Sequence, residues 1–273
     1  MTAFFAVLVA QPASALQVSL NPSNPQLGDT LSAVIQLDDP DSEASVAANG
    51  KTYPIFPLGP NRYRALIPTT PLDRPGTLTL QVGGDGETRN LNLQLRDRTF
   101  PTQRIRLAGG GSNATEVELS RVAAFKTLVT PEKFWNGAFL RPTTGRVSTI
   151  FGVRRYYNGV FAQDYYHRGV DYAASTGTAV IAPAAGRIAL VGKEAEGFRV
   201  HGNTIGIDHG QGVLSIFLHL SKIYFREGDV VRAGQPIGAV GSTGSSTGPH
   251  LHWGLYVHGN AIDPVPWRER GFE

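Results

Sequence analysis

Between residues 16 and 98 apolar and polar positions alternate in short runs. Segments 16–20, 31–37, 62–67, 78–82 and 91–95 place an apolar side chain at every second residue. That is the period of a half-buried strand. Turn-forming clusters separate them: Asn21-Pro22-Ser23-Asn24-Pro25, Asp38-Asp39-Pro40-Asp41 and Gly83-Gly84-Asp85-Gly86. Strands at this spacing predict a small antiparallel sandwich of immunoglobulin-like type over 16–98. The period then changes. Val117, Leu119, Val122, Phe125 and Leu128 recur at helical spacing, after a cap at Asn113 or Thr115 and before Pro131. A hinge, Ala108-Gly109-Gly110-Gly111-Ser112, precedes that helix, so 99–136 reads as a hinge and linker helix. Phe134 and Trp135 are expected to anchor the helix to the C-terminal half. From 137 to 273 strand-like runs return, at 169–173, 215–220 and 253–257. The chain is expected to be mainly β.

A length of 273 residues suggests two domains or one large one. A net charge of only +3, from scattered Lys and Arg, gives no basic stripe and argues against a nucleic-acid partner. The absence of cysteine excludes thiolate metal ligands and disulfide staples. Residues 1–15 read as a secretory signal. A short apolar core, residues 3–10, is followed by Ala13-Ser14-Ala15, although no Lys or Arg precedes it. That segment is too short for a comfortable transmembrane span and nothing later is long enough. The oligomeric state is left open.

The candidate chemistry lies in the second half. His250-Leu251-His252 follows a Gly/Ser/Thr loop and enters a strand-like run. Alternate residues of a strand share a face, so the two imidazoles point the same way, roughly 6.5–7 Å apart at Cα. They suggest a metal site, a proton-transfer pair, or two histidines on a solvated face. His167 and Asp171 lie four residues apart and would be ~13 Å apart on a straight strand, so the chain must turn between them, with Gly169 as the permissive residue. His219 sits in an apolar run, where an ionisable ring needs a partner. Two histidines and one carboxylate make a zinc set with an open position and leave two histidines to handle protons.

His167-x-x-x-Asp171, Phe217-x-His219-Leu220 and His250-x-His252 together resemble the three signatures of the M23 (LytM/lysostaphin-type) zinc endopeptidases. Phe151-Gly152-Val153-Arg154, Gly234-Gln235-Pro236-Ile237-Gly238 and Thr247-Gly248-Pro249 extend the likeness, which covers about residues 137–267. The resemblance implies a zinc-dependent hydrolase of peptide bonds in bacterial peptidoglycan, acting on its peptide stems. It also implies an antiparallel β-sheet core in 137–273 and export to the periplasm or cell envelope. His167, Asp171 and His252 match the family's metal ligands, and His219 and His250 its catalytic histidines. The likeness alone separates His250 from His252 in role. Phe217 stands where many relatives carry Tyr, which puts a substrate contact by that hydroxyl in question.

No His-Glu-x-x-His occurs, so a glutamate base on a helix is not supplied. His219 or His250 is then expected to take the water proton and steady the oxyanion, with Tyr156, Tyr157, Tyr165 or Tyr166 as a further donor. The loop at 241–248 lacks the Lys of a phosphate-binding loop. His201, His209 and His258 read as turn or surface residues. The competing reading is a catalytically silent M23-like protein that binds peptidoglycan or activates another hydrolase. The region 16–98 carries no cluster of His, Asp and Glu. It is expected to bind, position or inhibit, or only to support.

Overall fold

The computed structural model describes residues 16–106 and 113–272. The expected signal segment at 1–15 and the hinge at 108–112 lie outside the described residues. The alternating runs of the first half form two antiparallel four-stranded sheets. One runs Gln17–Asn21, Thr30–Gln36, Arg62–Pro68, Ile55–Gly59 and the other Lys51–Tyr53, Ser45–Ala48, Gly76–Gly84, Glu87–Leu95. Their inner faces carry the alternate apolar residues the sequence marks out. Leu31, Ala33 and Ile35 of one sheet and Val46, Leu80 and Val82 of the other are wholly buried. Removing these side chains from water is the main force holding the sandwich.

The second half is built on an eight-stranded antiparallel sheet. Its order is Arg146–Thr149, Val170–Ala173, His250–Val257, Val213–Leu218, Thr204–Gly210, Gly186–Gly192 and Val230–Val231, with Asn260–Ile262 also paired to His250–Val257. The three most central strands carry buried residues at nearly every position, because both faces are covered. Trp253, Phe217, Tyr172, Leu251 and Ile205 are all inaccessible to solvent. Phe217 therefore belongs to the core, and the hydroxyl it lacks would have been buried there.

The two halves are packed together. Leu66, from the first sandwich sheet, belongs to the apolar cluster of the second half. Beside it the wholly buried Arg64 donates to Gln211 at 2.5 Å and lies 5.1 Å from the Trp135 ring. Arg98 pairs with Asp263 at 2.8 Å, the Asp263 amide donates to the Gly28 carbonyl, and the Trp267 indole donates to Thr30 Oγ1 at 3.1 Å. Trp135 takes the expected anchoring position, edge-on to Trp267 with its indole donating to the Phe272 carbonyl.

The connector differs from the pattern in two ways. Strand Thr102–Ile105 pairs in parallel with Arg154–Tyr157, a pairing no alternation announces in so polar a segment. The helix runs Glu116–Lys126, capped at Thr115 and closed at Thr127, short of Pro131. Its buried face is Glu118, Val122 and Phe125, while Val117 and Leu119, expected inside, are more than half exposed. The inner position goes to Glu118 because its carboxylate caps three backbone amides of the segment 199–201. Among the described residues no helix is long and apolar enough to cross a membrane.

Candidate metal centre and cleft

Strand pairing brings the first cluster together. Val170–Ala173 and His250–Val257 are antiparallel neighbours, and Asp171 stands directly opposite His252. His167 comes to them from the segment before the strand. Gly169 serves close approach rather than a left-handed turn: a Cβ there would run into the Trp253 carbonyl and the His252 ring. The result is a triangle. His167 Nε2 lies 3.0 Å from Asp171 Oδ1 and 3.1 Å from His252 Nδ1, and His252 Nδ1 lies 2.8 Å from the same oxygen.

The proton positions in this triangle are set by its neighbours. His167 Nδ1 donates to the Ile150 carbonyl at 2.8 Å, so its proton sits there and Nε2 presents a lone pair. That lone pair faces a carboxylate oxygen and a second imidazole nitrogen at a largely buried spot. Three lone pairs meeting at one point repel unless a cation lies among them. A tetrahedral ion with bonds of ~2.0–2.1 Å would set its ligand atoms about 3.3 Å apart, close to what is seen. His167, Asp171 and His252 are the one such group among the described residues that could hold a metal ion. Burial opposes the charge on Asp171, but a proton or positive charge on the His167 and His252 side of Oδ1 outweighs it and holds the carboxyl far below its usual range. Burial pushes His252 down to about 4.

His219 and His250 stand beside this triangle with ring centroids 4.7 Å apart. His219 Nδ1 donates to the Thr243 carbonyl and His250 Nδ1 to that of Gly248, each at 2.8 Å. Both rings therefore keep a lone pair on Nε2. Burial, helped by the neighbouring His252 and His250, pushes His219 down to about 4, so it is neutral at pH 7. His219 also holds φ at 65°, a left-handed conformation that costs a β-carbon residue about 1–2 kcal/mol. Its amide is tied to the His201 carbonyl at 3.0 Å.

That tie leads to a pair the sequence did not reveal. Glu118, from the connector helix, is wholly buried and accepts from the amides of Arg199, Val200 and His201. Its Oε1 also lies 2.5 Å from His201 Nδ1. Burial alone would raise its pKa, yet the His201 and Val200 hydrogen bonds keep it below the ordinary value. His201 thus lines the cleft from the turn in which it was expected. His209 is no surface residue: it is buried on a central strand, donating to the Ala185 carbonyl and accepting from Ser215. His258 also sits in a turn as expected, with its ring against Tyr53.

The triangle, His219, His250 and His201 all line one open cleft of about 420 Å³. Tyr157 and Tyr165 line it too. Tyr166 does not; its buried hydroxyl donates to the Ala261 carbonyl, and Tyr156 packs on Phe161. No residue of 16–106 lines the cleft, whereas Ala114, Leu119 and Lys126 of the connector do.

Comparison with known proteins gives this geometry a lineage. The family model described as "Peptidase family M23" matches residues 165–264, which hold all five of the site residues singled out in the sequence. DD-carboxypeptidase/endopeptidase Mpg of Neisseria meningitidis serogroup B strain MC58 is 42% identical over 120 residues, 44% of this chain and 26% of that protein. Murein hydrolase activator NlpD of Escherichia coli K12 is 36% identical over 124 residues, 45% of this chain and 29% of that one. The match thus spans little more than a quarter of either relative. The crystal structure of a candidate M23 peptidase of Pseudomonas aeruginosa covers both halves, 93% of this chain and 97% of that one, at 26% identity and a TM-score of 0.67. With the three signatures laid along one cleft and both halves shared with a solved relative, the chain belongs to peptidase family M23, in its LytM/lysostaphin-type branch.

Proposed function

We propose that this protein is a zinc-dependent endopeptidase that hydrolyses peptide bonds in bacterial peptidoglycan, and that it works outside the cytoplasm. The observation that carries the reading is the complete set of groups in one cleft. Three converging lone pairs of His167, Asp171 and His252 lie beside two imidazoles whose Nε2 atoms are unused. Zinc held by those three residues would polarise the scissile carbonyl and acidify a nearby water. His219, neutral at pH 7, or its neighbour His250 accepts the proton of the attacking water at Nε2. The imidazolium so formed faces the developing oxyanion and stabilises it. Tyr165, which accepts from Arg155 at 2.7 Å and lines the cleft, can turn its hydroxyl toward the same oxyanion. In this proposal 16–98 is a module, 99–136 a connector that completes the cleft, and 137–273 the peptidase part.

The name of Mpg supports an enzyme acting on such peptides, and that of NlpD supports the second reading, an activator of other hydrolases. The filled ligand set favours the enzyme. The test is mass spectrometry of fragments released from purified sacculi by the zinc-loaded chain. Release of peptide-cleaved muropeptides supports the proposal. Intact sacculi, together with stimulation of a second hydrolase, would establish the activator instead.

A further inference from the structure

We propose that Lys126, Arg155 and Arg168 form a cationic subsite in the cleft that takes a carboxylate of the substrate peptide. The proposal rests on the peptidase reading above and adds the chemical feature that selects the substrate. All three side chains line the same cleft as the His167, Asp171 and His252 triangle. Among the described residues, none of the three lies within ion-pair distance of a carboxylate. Asp171, the one carboxylate lining the cleft, is engaged by two imidazoles, and Glu118 is turned away into backbone amides. Elsewhere the chain pairs such groups: Arg98 with Asp263, and Arg121 with Glu227. The cleft therefore holds a concentration of positive charge that no carboxylate ion-pairs, Asp171 acting on Arg155 only at longer range.

The three cations are also held in place before any ligand arrives. The Lys126 ammonium lies 5.0 Å from the centroid of Tyr256. The Arg168 guanidinium lies 5.9 Å from both Tyr165 and Tyr166. Arg155 donates to Tyr165 at 2.7 Å and, through Nε, to Gln103 at 3.2 Å. Aromatic faces and hydroxyls stabilise a cation without neutralising it, and they restrict long side chains that would otherwise lose entropy on binding. Burial, with Arg168 adding like charge, pushes Lys126 down to about 8. An anion entering the cleft relieves that unfavourable field, and bonds between ionised partners are the strong ones.

Two of the three residues lie outside the part of the chain that the family model matches, 165–264. Lys126 closes the connector helix, and Arg155 sits on the strand paired with Thr102–Ile105. Two of the selecting charges come from the connector and its partner strand, while Arg168 stands beside the metal-binding chemistry of the central sheet. A carboxylate on a stem peptide can be the C-terminal group or a side-chain group. The cations recognise the shared chemistry, so the experiment must separate the two sources.

The test uses the zinc-loaded full chain and a soluble cross-linked peptide dimer released from sacculi. Two derivatives carry carboxamides in place of carboxylates, one at the chain ends and the other on the side chains. The expected result is a kcat/KM about tenfold or more lower for one of the two derivatives, which identifies the source. That ratio should shrink as salt rises. It should collapse toward one in Lys126→Met and in Arg168→Gln, and persist in Lys126→Arg. Fluorescence anisotropy of the labelled dimer on metal-free protein gives the same comparison without turnover. Equal rates and equal affinities for all three peptides, or a ratio unchanged in Lys126→Met and Arg168→Gln, would overturn the subsite while leaving the peptidase reading intact. No hydrolysis of any peptide, with the carboxylate preference still present in binding, would overturn the peptidase reading and keep the subsite.

Discussion

Two buried carboxylates, Asp171 and Glu118, are held in their charged form by opposite kinds of neighbour. Glu118 accepts from three backbone amides and one imidazole. Those amide protons are permanent, so the charge is satisfied whenever the chain is folded. Asp171 Oδ1 is met by two imidazole nitrogens, one of which has its proton committed to a carbonyl on the far side of the ring. A carboxylate fed by amides is a fastening. One facing lone pairs is a socket for a cation.

The comparison can be broken at either end. The largest effect is expected from Asp171→Ala. Removing one of three protein ligands should take bound zinc from about one per chain to near none and bring turnover to background. Elemental analysis and sacculus digestion read both, and zinc retained in this variant would mean that Asp171 is a fastening too. His219→Ala and His250→Ala come next. Each should keep its zinc while turnover falls ~10²–10⁴-fold, the cost of losing a general acid or base. If His250→Ala loses metal as fully as His252→Ala, the division between the two rings fails.

Glu118→Ala should act on stability first, with a loss of about 3 kcal/mol in denaturant unfolding, because three buried amides lose their acceptor. Metal content should stay near one per chain, and depleted zinc would erase the contrast with Asp171. A pH dependence of similar size comes last. His209 is buried neutral, pushed down to about 4 from 6.5, so the unfolded chain binds a proton that the folded chain refuses. Stability should therefore fall by about 3 kcal/mol as pH drops from 6.5 to 4. Glu118, also depressed, adds a loss that begins as pH falls into the ordinary carboxylate range and is complete only below its lowered pKa. Replacing His209 with Asn should flatten the first window, and a slope unchanged by that substitution would assign the proton elsewhere.

These contrasts also mark what could be read in the sequence. Strands such as Thr30–Gln36 and Glu87–Leu95 were legible because alternation reports directly on a half-buried sheet. The histidine and aspartate motifs were legible because metal ligands tolerate few residue types. Glu118 was not, since a charged residue in a helix's first turn reads as solvated. The Thr115-x-x-Glu118 spacing of a capping box was a usable signal, but here the carboxylate reaches forward some eighty residues instead of back to its own helix end. Val117 and Leu119 were misplaced for the same reason: period alone cannot tell that a hydrogen-bonded carboxylate will displace them. His209 lies in a turn-like stretch, Asp208-His209-Gly210, and only the strand pairing shows it buried. The parallel strand Thr102–Ile105 depends on a partner fifty residues away.

The clasp between Thr30 and Trp267 has a consequence for how the molecule is made. On a ribosome the sandwich strands emerge first, with Gly28 and Thr30 on a face whose cover, Asp263 and Trp267, has yet to be synthesised. His252, the last member of the metal triangle, leaves only shortly before that cover. The nascent chain therefore carries an open face while the residues between Thr30 and Asp263 are made, and the candidate metal triangle is assembled only as that face becomes coverable. The proposed peptidase thus gains its candidate metal set only after the sandwich face it packs against has been made.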